Sequence, residues 1–253
     1  MWRELTYGQW LLAGLAAMGI GVSKSGLPGV SLLHVVIMAS LFGSRESTGV
    51  ILPMLVIGDI AAVAMFRRHA RAQLLLRTLP AATVGVILGW SVMALFPEWQ
   101  SGYTIGAIVL GLASLQFLRD WRPNLFEHVP QSASFGIVVG LLAGATTMIA
   151  NAAGPVMGLY LLMVGLPKRE FVGTSAWFFL LINLLKVPFS LQLGLITLSS
   201  LTLNLALSPV IVGGLFFGRE VVSRLPQRAF DTLVLAFAVV GALKLMGAFR
   251  LFS

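Results

Sequence analysis

Long apolar runs, separated by short polar stretches, cover nearly the whole chain of 253 residues. Each run has at least about 18 residues and few charges, which is the length that a helix needs to cross a hydrocarbon core about 30 Å thick. Little room is left for a soluble domain. The pattern predicts an all-α integral membrane protein with eight hydrophobic segments, at 8–42, 48–66, 74–96, 101–118, 133–165, 173–193, 196–217 and 229–248.

The first and fifth segments, 8–42 and 133–165, are longer than the other six. The first has 35 residues and would be about 52 Å long as one helix, whereas two crossings need about 40 residues. Glycine and proline interrupt the middle of each segment, in "SKSGLPG" and "NAAGP", and these residues end helices. We therefore predict that each segment consists of two half-helices that meet at a break in mid-membrane.

The charges in the loops predict that both broken segments re-enter the membrane and turn back. Cytoplasmic loops carry an excess of lysine and arginine. If both segments re-enter, eleven basic residues lie on the cytoplasmic side and three outside, whereas five of the eleven move outside if both segments cross. The eleven are Arg67, Arg68, Arg71, Arg77, Arg119, Arg122, Lys168, Arg169, Arg219, Arg224 and Arg228.

A short motif recurs in the two halves of the chain. Residues 45–49 and 169–173 share the pattern RE-x-x-G at an offset of 124 residues, and the same offset relates Asp59 to Asn183. With one hairpin and three spans in each half, the second half is inverted relative to the first. Transporters of this design bind substrate near the midplane between the repeats. The predicted repeats of this single membrane domain are 1–125 and 126–253.

The composition agrees with a membrane location and excludes several functions. Hydrophobic residues make up 58% of the chain and charged residues 10%, against roughly a quarter charged in soluble domains. The net charge of +8 comes from basic residues in loops beside lipid head groups, so we predict no nucleic-acid partner. The absence of cysteine excludes disulfides and thiol chemistry. With three scattered histidines, we predict neither a metal site nor a cofactor.

The first break contains a lysine, Lys24. A charged side chain near the bilayer centre costs about 2.5 to 3.5 kcal/mol and is a functional candidate by default. The half-helix that follows directs its free amides and its positive dipole end into the membrane interior, which together with hydroxyls predicts an anion site. The alternative is that Lys24 only neutralises Asp59. The predicted ligands at this break are Ser23, Lys24, Ser25, Gly26 and Pro28.

The second break offers hydroxyls and an amide, which can bind ligand oxygens or satisfy backbone groups that the break frees. Its expected cationic partner is Lys186, which lies one turn from Asn183 on the same helix face. The alternative is that Lys186 extends to the membrane interface. The predicted ligands here are Thr146, Thr147, Asn151, Gly154, Asn183 and Lys186.

Two further residues are candidates for proton coupling. Asp59 is the only acid near the middle of a predicted span, and intramembrane acids often carry protons. It can equally be the counter-charge of Lys24. His34, in the second half-helix of the first segment, can relay a proton or can be a hydrogen-bonded packing residue.

A Ser-Lys dyad is the catalytic arrangement that the first break suggests. Adjacent residues seldom orient a base onto the neighbouring hydroxyl. Neither an oxyanion device nor a catalytic signature accompanies Lys24. We therefore predict that the protein is not an enzyme.

Taken together, these stretches resemble the TauE/SafE sulfite exporter family, also called the toluene sulfonate uptake permease family, over nearly the whole chain. The resemblance is carried by "GVSKSGLPG", "GVILPMLVIGD" and "FRRHAR" in the first half, and by "GATTMIANAAGPVMGLYLL" and "KREFVGTSAWFFLLINLLKVPF" in the second. It implies a multi-pass permease of the bacterial inner membrane, with a duplicated architecture, for sulfite, organosulfonates or related sulfur oxyanions. Many family members have a more glycine-rich first break, so Lys24 is either a shared site residue or a determinant of anion preference.

The leading hypothesis is a permease or exporter of small sulfur-containing anions that works by alternating access between two inverted repeats. The competing hypotheses are a transporter of another small solute or ion and a non-transporting membrane scaffold. The expected partners are the anion, protons and the lipid bilayer, with the direction of transport and the oligomeric state left open.

Overall fold

The computed structural model describes residues 5–27, 30–95 and 133–224, together with Ser114 and seven isolated positions between 226 and 243. All regular secondary structure within these residues is helical, which confirms the predicted all-α class for this part of the chain. The predicted segments 101–118 and 229–248 lie outside it, apart from isolated positions. The helices are α1 (Tyr7–Lys24), α2 (Ser31–Phe42), α3 (Ser44–Phe66), α4 (Ala72–Leu95), α5 (Ala133–Ala150), α6 (Ala153–Met163), α7 (Lys168–Gln192) and α8 (Leu198–Arg224), with a 3-10 turn at Arg67–His69.

Four of the described helices are long and apolar enough to cross a membrane, so the chain is a multi-pass membrane protein. Two shorter apolar helices, Ser134–Ala150 and Ala153–Met163, lie between the second and the third of them. The four candidate spans are Glu46–His69, Ala72–Leu95, Lys168–Gln192 and Leu198–Val221.

The first predicted segment forms two helices, α1 and α2, with a turn between them. At the start of α1, the hydroxyl of Thr6 accepts from the amide of Gln9 and the side chain of Gln9 accepts from the amide of Thr6, which is a capping box. The chain turns at Gly26, whose φ of +118° is accessible to glycine without steric cost. The hydroxyl of Ser25 donates to the carbonyl of Val22 over 2.7 Å and satisfies the end of α1.

The fifth predicted segment likewise forms α5 and α6, which Asn151 and Ala152 separate. Asn151 has a left-handed φ of +52°, a conformation that asparagine tolerates better than most residues. Every residue of α6 is buried, and so are Ser25 and Asn151 in the two breaks. Irregular backbone at membrane depth is tolerated where protein surrounds it. The described residues of both breaks meet this requirement, while the re-entrant path of the two segments stays a prediction.

Helices α3 and α7 form an antiparallel pair at the centre of the described fold. Gly49, near the start of α3, packs against Leu195, which follows the end of α7. Gly173, near the start of α7, packs against His69 and Ala70, which follow the end of α3. These contacts join the two helices near both of their ends.

Two close helix pairs flank this centre, because α1 packs on α8 and α5 packs on α4. Gly21 and Gly214 bring the backbones of the first pair together, and Gly85 and Gly144 do the same for the second. Small residues permit such close approach, and van der Waals contact of this kind drives helix association in lipid. The first helix of each broken segment thus packs against a helix from the other half of the chain.

Alanine variants of the adjacent residues Gly213 and Gly214 provide a test of this packing. A Cβ at Gly214 would overlap the backbone of Met18, whereas a Cβ at Gly213 meets no described atom within 4 Å. Overpacking costs about 1–3 kcal/mol, and alanine gains about 0.5–1 kcal/mol over glycine inside a helix. We expect Gly214→Ala to lower the midpoint of thermal unfolding in detergent and Gly213→Ala to leave it unchanged or raise it. Equal midpoints for the two variants would contradict the packing.

Candidate functional site

A lysine and an aspartate form a buried ion pair where the first break meets α3. Nζ of Lys24 lies 2.6 Å from Oδ1 of Asp59, and the two side chains are 7% and 0% exposed. Nζ of Lys24 also lies 4.8 Å from the centre of the Phe179 ring, which is the geometry of a cation–π contact. The pairing of Lys24 with Asp59, left as an alternative above, is therefore present in the structure.

Asn183 extends this pair from α3 to α7. Its Nδ2 donates to Oδ2 of Asp59 over 2.7 Å, and its Oδ1 accepts from Nζ of Lys186 over 3.3 Å. Asp59 and Asn183 are the two residues that the offset of 124 relates. The hydrogen bond between them joins corresponding points of the two central helices.

Lys186 connects the pair to the second break. Its ammonium group donates to Oγ1 of Thr147 over 3.1 Å and to Oδ1 of Asn151 over 2.5 Å. With Asn183, these residues give one acceptor to each of the three N–H groups of the lysine. Asn151 in turn donates to the carbonyl of Thr48 over 3.1 Å. Lys186 is 2% exposed and is held inside the protein by these bonds.

The resulting polar network contains two ammonium groups and one carboxylate. Lys24 has a charged partner, Asp59, whereas the acceptors of Lys186 are all neutral. Buried charges are tolerated when they are paired and hydrogen-bonded. With both lysines protonated and Asp59 ionised, the network has one positive charge in excess, which would favour an anion beside it.

A pocket lies next to the network, and the starts of two helices border it. Ser31 begins α2, and Ala153 and Gly154 begin α6, and all three residues line the pocket. Among the described residues, neither N-cap side chain, that of Val30 or that of Ala152, bonds to an amide of its helix, and first-turn amides without such a cap can bind a ligand. The positive ends of both helix dipoles favour negative charge at this point.

Six of the predicted ligands line this pocket, whereas Lys186 lies behind it and holds Thr147 and Asn151 in place. Lys186 can therefore hold the pocket wall in position, and its charge can raise the electrostatic potential in the pocket. The six lining residues are Ser23, Lys24, Thr147, Asn151, Gly154 and Asn183.

Other predicted ligands have local roles or lie elsewhere. The hydroxyl of Thr146 donates to the carbonyl of Leu142 over 2.8 Å within α5, as the hydroxyl of Ser25 does at the end of α1. Gly26 forms the turn of the first break. Pro28 lies outside the described residues.

Sequence reasoning missed Ser31, Leu55, Ala153 and Phe179, which also line the pocket. The hydroxyl of Ser31 is buried and has no hydrogen-bond partner among the described residues. A signal existed for Phe179, because it precedes Asn183 by one helical turn and therefore shares its face. Leu55, one turn before Asp59, follows the same rule. Phe179 and Leu55 add apolar surface to the lining of the pocket.

The proton-coupling candidates differ in their surroundings. Asp59 belongs to the network, whereas His34 does not line the pocket. The ring of His34 is fully buried, and neither nitrogen has a hydrogen-bond partner among the described residues. Within the same residues, no cluster of histidine and acidic side chains could hold a metal ion.

Comparison with known proteins identifies one family. The family model described as "Sulfite exporter TauE/SafE" matches residues 12–245, nearly the whole chain. No curated protein and no solved structure matches the chain.

The ion pair predicts a pattern of stability in single and double variants. Removing one partner of a buried pair costs about 3–5 kcal/mol, because an uncompensated charge remains. We expect Lys24→Met to lower the thermal unfolding midpoint strongly, and we expect Asp59→Asn in the same chain to restore much of the loss. A double variant that is no more stable than Lys24→Met would show that the two charges do not depend on each other.

Proposed function

Because this chain belongs to the sulfite exporter TauE/SafE family, a family of membrane transporters, we propose that it moves small sulfur-containing anions, such as sulfite or sulfonates, across the membrane. We further propose the bacterial inner membrane as its location. Membership of the family supports the transport of a small solute within a lipid bilayer. The proposal that the solute is an anion rests on the pocket.

One observation carries this proposal: Lys24 and the uncapped starts of α2 and α6 line the same pocket. A sulfite or sulfonate group has three oxygen atoms that can accept hydrogen bonds. The helix amides, the hydroxyl of Ser31 and the ammonium of Lys24 are donors that suit it. Lys186 supplies further positive charge from behind the wall.

The mechanism proposed is alternating access between two inverted repeats, residues 1–125 and 126–253. The pattern of helix packing supports it, since α1 packs on α8 and α5 packs on α4. Each of these contacts joins a broken segment of one half to a span of the other half. Rocking of one half against the other would then expose the pocket to the two sides in turn.

Proton coupling through Asp59 is a further part of the proposal. Lys24 faces both Asp59 and the pocket, so an anion in the pocket competes with Asp59 for the same ammonium group. A carboxylate that loses its buried cation is strongly destabilised. Uptake of a proton by Asp59 would remove this cost, so that one proton accompanies the anion.

The anion site is tested by neutralising the pair. Lys24→Met with Asp59→Asn removes the cation of the pocket and keeps a neutral pair. We expect sulfite or a small sulfonate to raise the unfolding midpoint of the wild-type protein, and we expect the double variant to bind about tenfold more weakly or worse. In proteoliposomes the same variant should lose anion flux, and Lys186→Met should weaken both responses.

The matched control is Arg224→Gln, which removes an exposed cation that pairs with Glu220 on α8. This variant should respond to anions like the wild type. Wild-type anion binding in the double variant would contradict the assignment of the site. Stabilisation by neutral or cationic solutes would instead favour a transporter of another solute, and no response to any solute would favour a scaffold.

Coupling is tested with Asp59→Asn, which removes the carboxylate of the network. Because the amide cannot take up a proton, we expect the variant to exchange anions at equal pH but to lose the acceleration of flux by a pH gradient. The measurement is anion flux into proteoliposomes with and without the gradient. A wild-type response to the gradient would show that Asp59 does not carry the proton.

A further inference from the structure

The two RE-x-x-G motifs make equivalent contacts at opposite ends of the central helix pair. The glycine of the first motif, Gly49, packs against Leu195 in the loop after α7. The glycine of the second, Gly173, packs against His69 and Ala70 in the loop after α3. In each case, any larger residue would overlap backbone atoms of the facing loop. We call these the Gly49 contact and the Gly173 contact.

The spacing of these contacts is the same in both helices. Asp59 follows Gly49 by ten residues, and Asn183 follows Gly173 by ten. At 1.5 Å per residue, each glycine lies about 15 Å along its helix from the central hydrogen bond between Asp59 and Asn183. The central pair is therefore held at its midpoint and at both ends, over a length close to the thickness of a bilayer core.

The two ends differ in their polar contacts. At the Gly173 contact, Nε of Arg71 donates to Glu170 over 2.6 Å and Nη2 donates to the other carboxylate oxygen over 3.1 Å. The backbone amide of Arg71 also donates to Oγ1 of Thr174 over 3.0 Å. At the Gly49 contact, Leu195 occupies the position that corresponds to Arg71 at the offset of 124, so the cation of this ion pair has no equivalent at that position.

The ion pair has properties that suit a contact that must break and form again. The side chains of Arg71 and Glu170 are 60% and 27% exposed, and exposed pairs contribute little to stability. Their two parallel hydrogen bonds nevertheless fix one geometry. The hydrogen bond from Arg71 and the charge of Glu170 raise the pKa of Arg71, which stays charged. The pair therefore favours one position of the start of α7, but it contributes too little free energy to prevent that helix end from moving.

We propose that the Gly49 and Gly173 contacts are the two gates of the transporter, and that α3 and α7 pivot between them about the hydrogen bond of Asp59 with Asn183. Since the Gly173 contact has the ion pair, it is the gate that opens less readily. This inference rests on the alternating access proposed above. It assigns a role to the RE-x-x-G motifs, whose described residues do not line the pocket.

The test uses the absence of cysteine from the natural chain. A single reporter, Ala153→Cys, places a thiol in the wall of the pocket, and a membrane-impermeant thiol reagent is added from one side of the membrane at a time. Glu170→Gln in this background should raise labelling from the Arg71 side by about two- to fivefold, because an exposed ion pair contributes modestly. Labelling from the Leu195 side should fall or stay the same.

Two further variants distinguish a specific effect on the gate from a general disturbance of the structure. The charge-reversed pair, Arg71→Glu with Glu170→Arg, should return labelling towards that of the reporter alone. Glu220→Gln removes an ion pair of similar kind within α8 and should leave labelling unchanged from both sides. Unchanged labelling in Glu170→Gln, or a rise that the reversed pair does not correct, overturns the gate assignment.

A cross-link gives an independent test in the full transporter. Arg71→Cys with Glu170→Cys, joined by a short bifunctional thiol reagent, should stop anion flux, and either cysteine alone with the same reagent should not. Continued flux through the joined protein overturns the proposal. The labelling experiment needs no transported anion. It therefore tests the gate assignment even if no anion stabilises the protein and the proposed function is wrong.

Discussion

The buried chain of polar contacts from Lys24 through Asp59 and Asn183 to Lys186 is the constraint on which the rest of the structure depends. Charges at this depth are tolerated only with partners, and the partners come from both breaks and from both central helices. The helices must therefore meet at these residues for the fold to form. The same contacts place two lysines and one carboxyl group at or behind the wall of the pocket.

The two breaks serve this network in different ways. At the first break, Lys24 at the end of α1 places its ammonium group against Asp59. At the second break, Asn151 accepts a hydrogen bond from Lys186 and donates one to the carbonyl of Thr48. Both breaks also place a helix start at the pocket without a side-chain cap. A continuous helix would satisfy these amides internally, so interrupting the two segments is what makes donors available in an apolar interior.

Much of this arrangement could be predicted from the sequence, because a charge or a glycine-proline pair inside an apolar run has few physical explanations. The positions of the breaks and most polar pocket residues followed from this rule. The roles of Ser25 and Thr146 did not, since a hydroxyl can bond to a nearby carbonyl as easily as to a ligand. The place of Lys186 behind the wall depends on the hydrogen bonds that it makes to Thr147 and Asn151, which are far from it in sequence, and the spacing of residues along α7 does not predict these partners.

The hydrogen bond between Asp59 and Asn183 has a consequence for how such a chain could arise. If the two halves were identical copies, the same side chain would face itself at this point, and two carboxyl groups 2.7 Å apart could not both be ionised. Fusion of the halves into one polypeptide lets the two positions diverge, so that one keeps the acid and the other carries an amide that donates to it. A symmetric pair of identical subunits could not place an aspartate opposite an asparagine at this point.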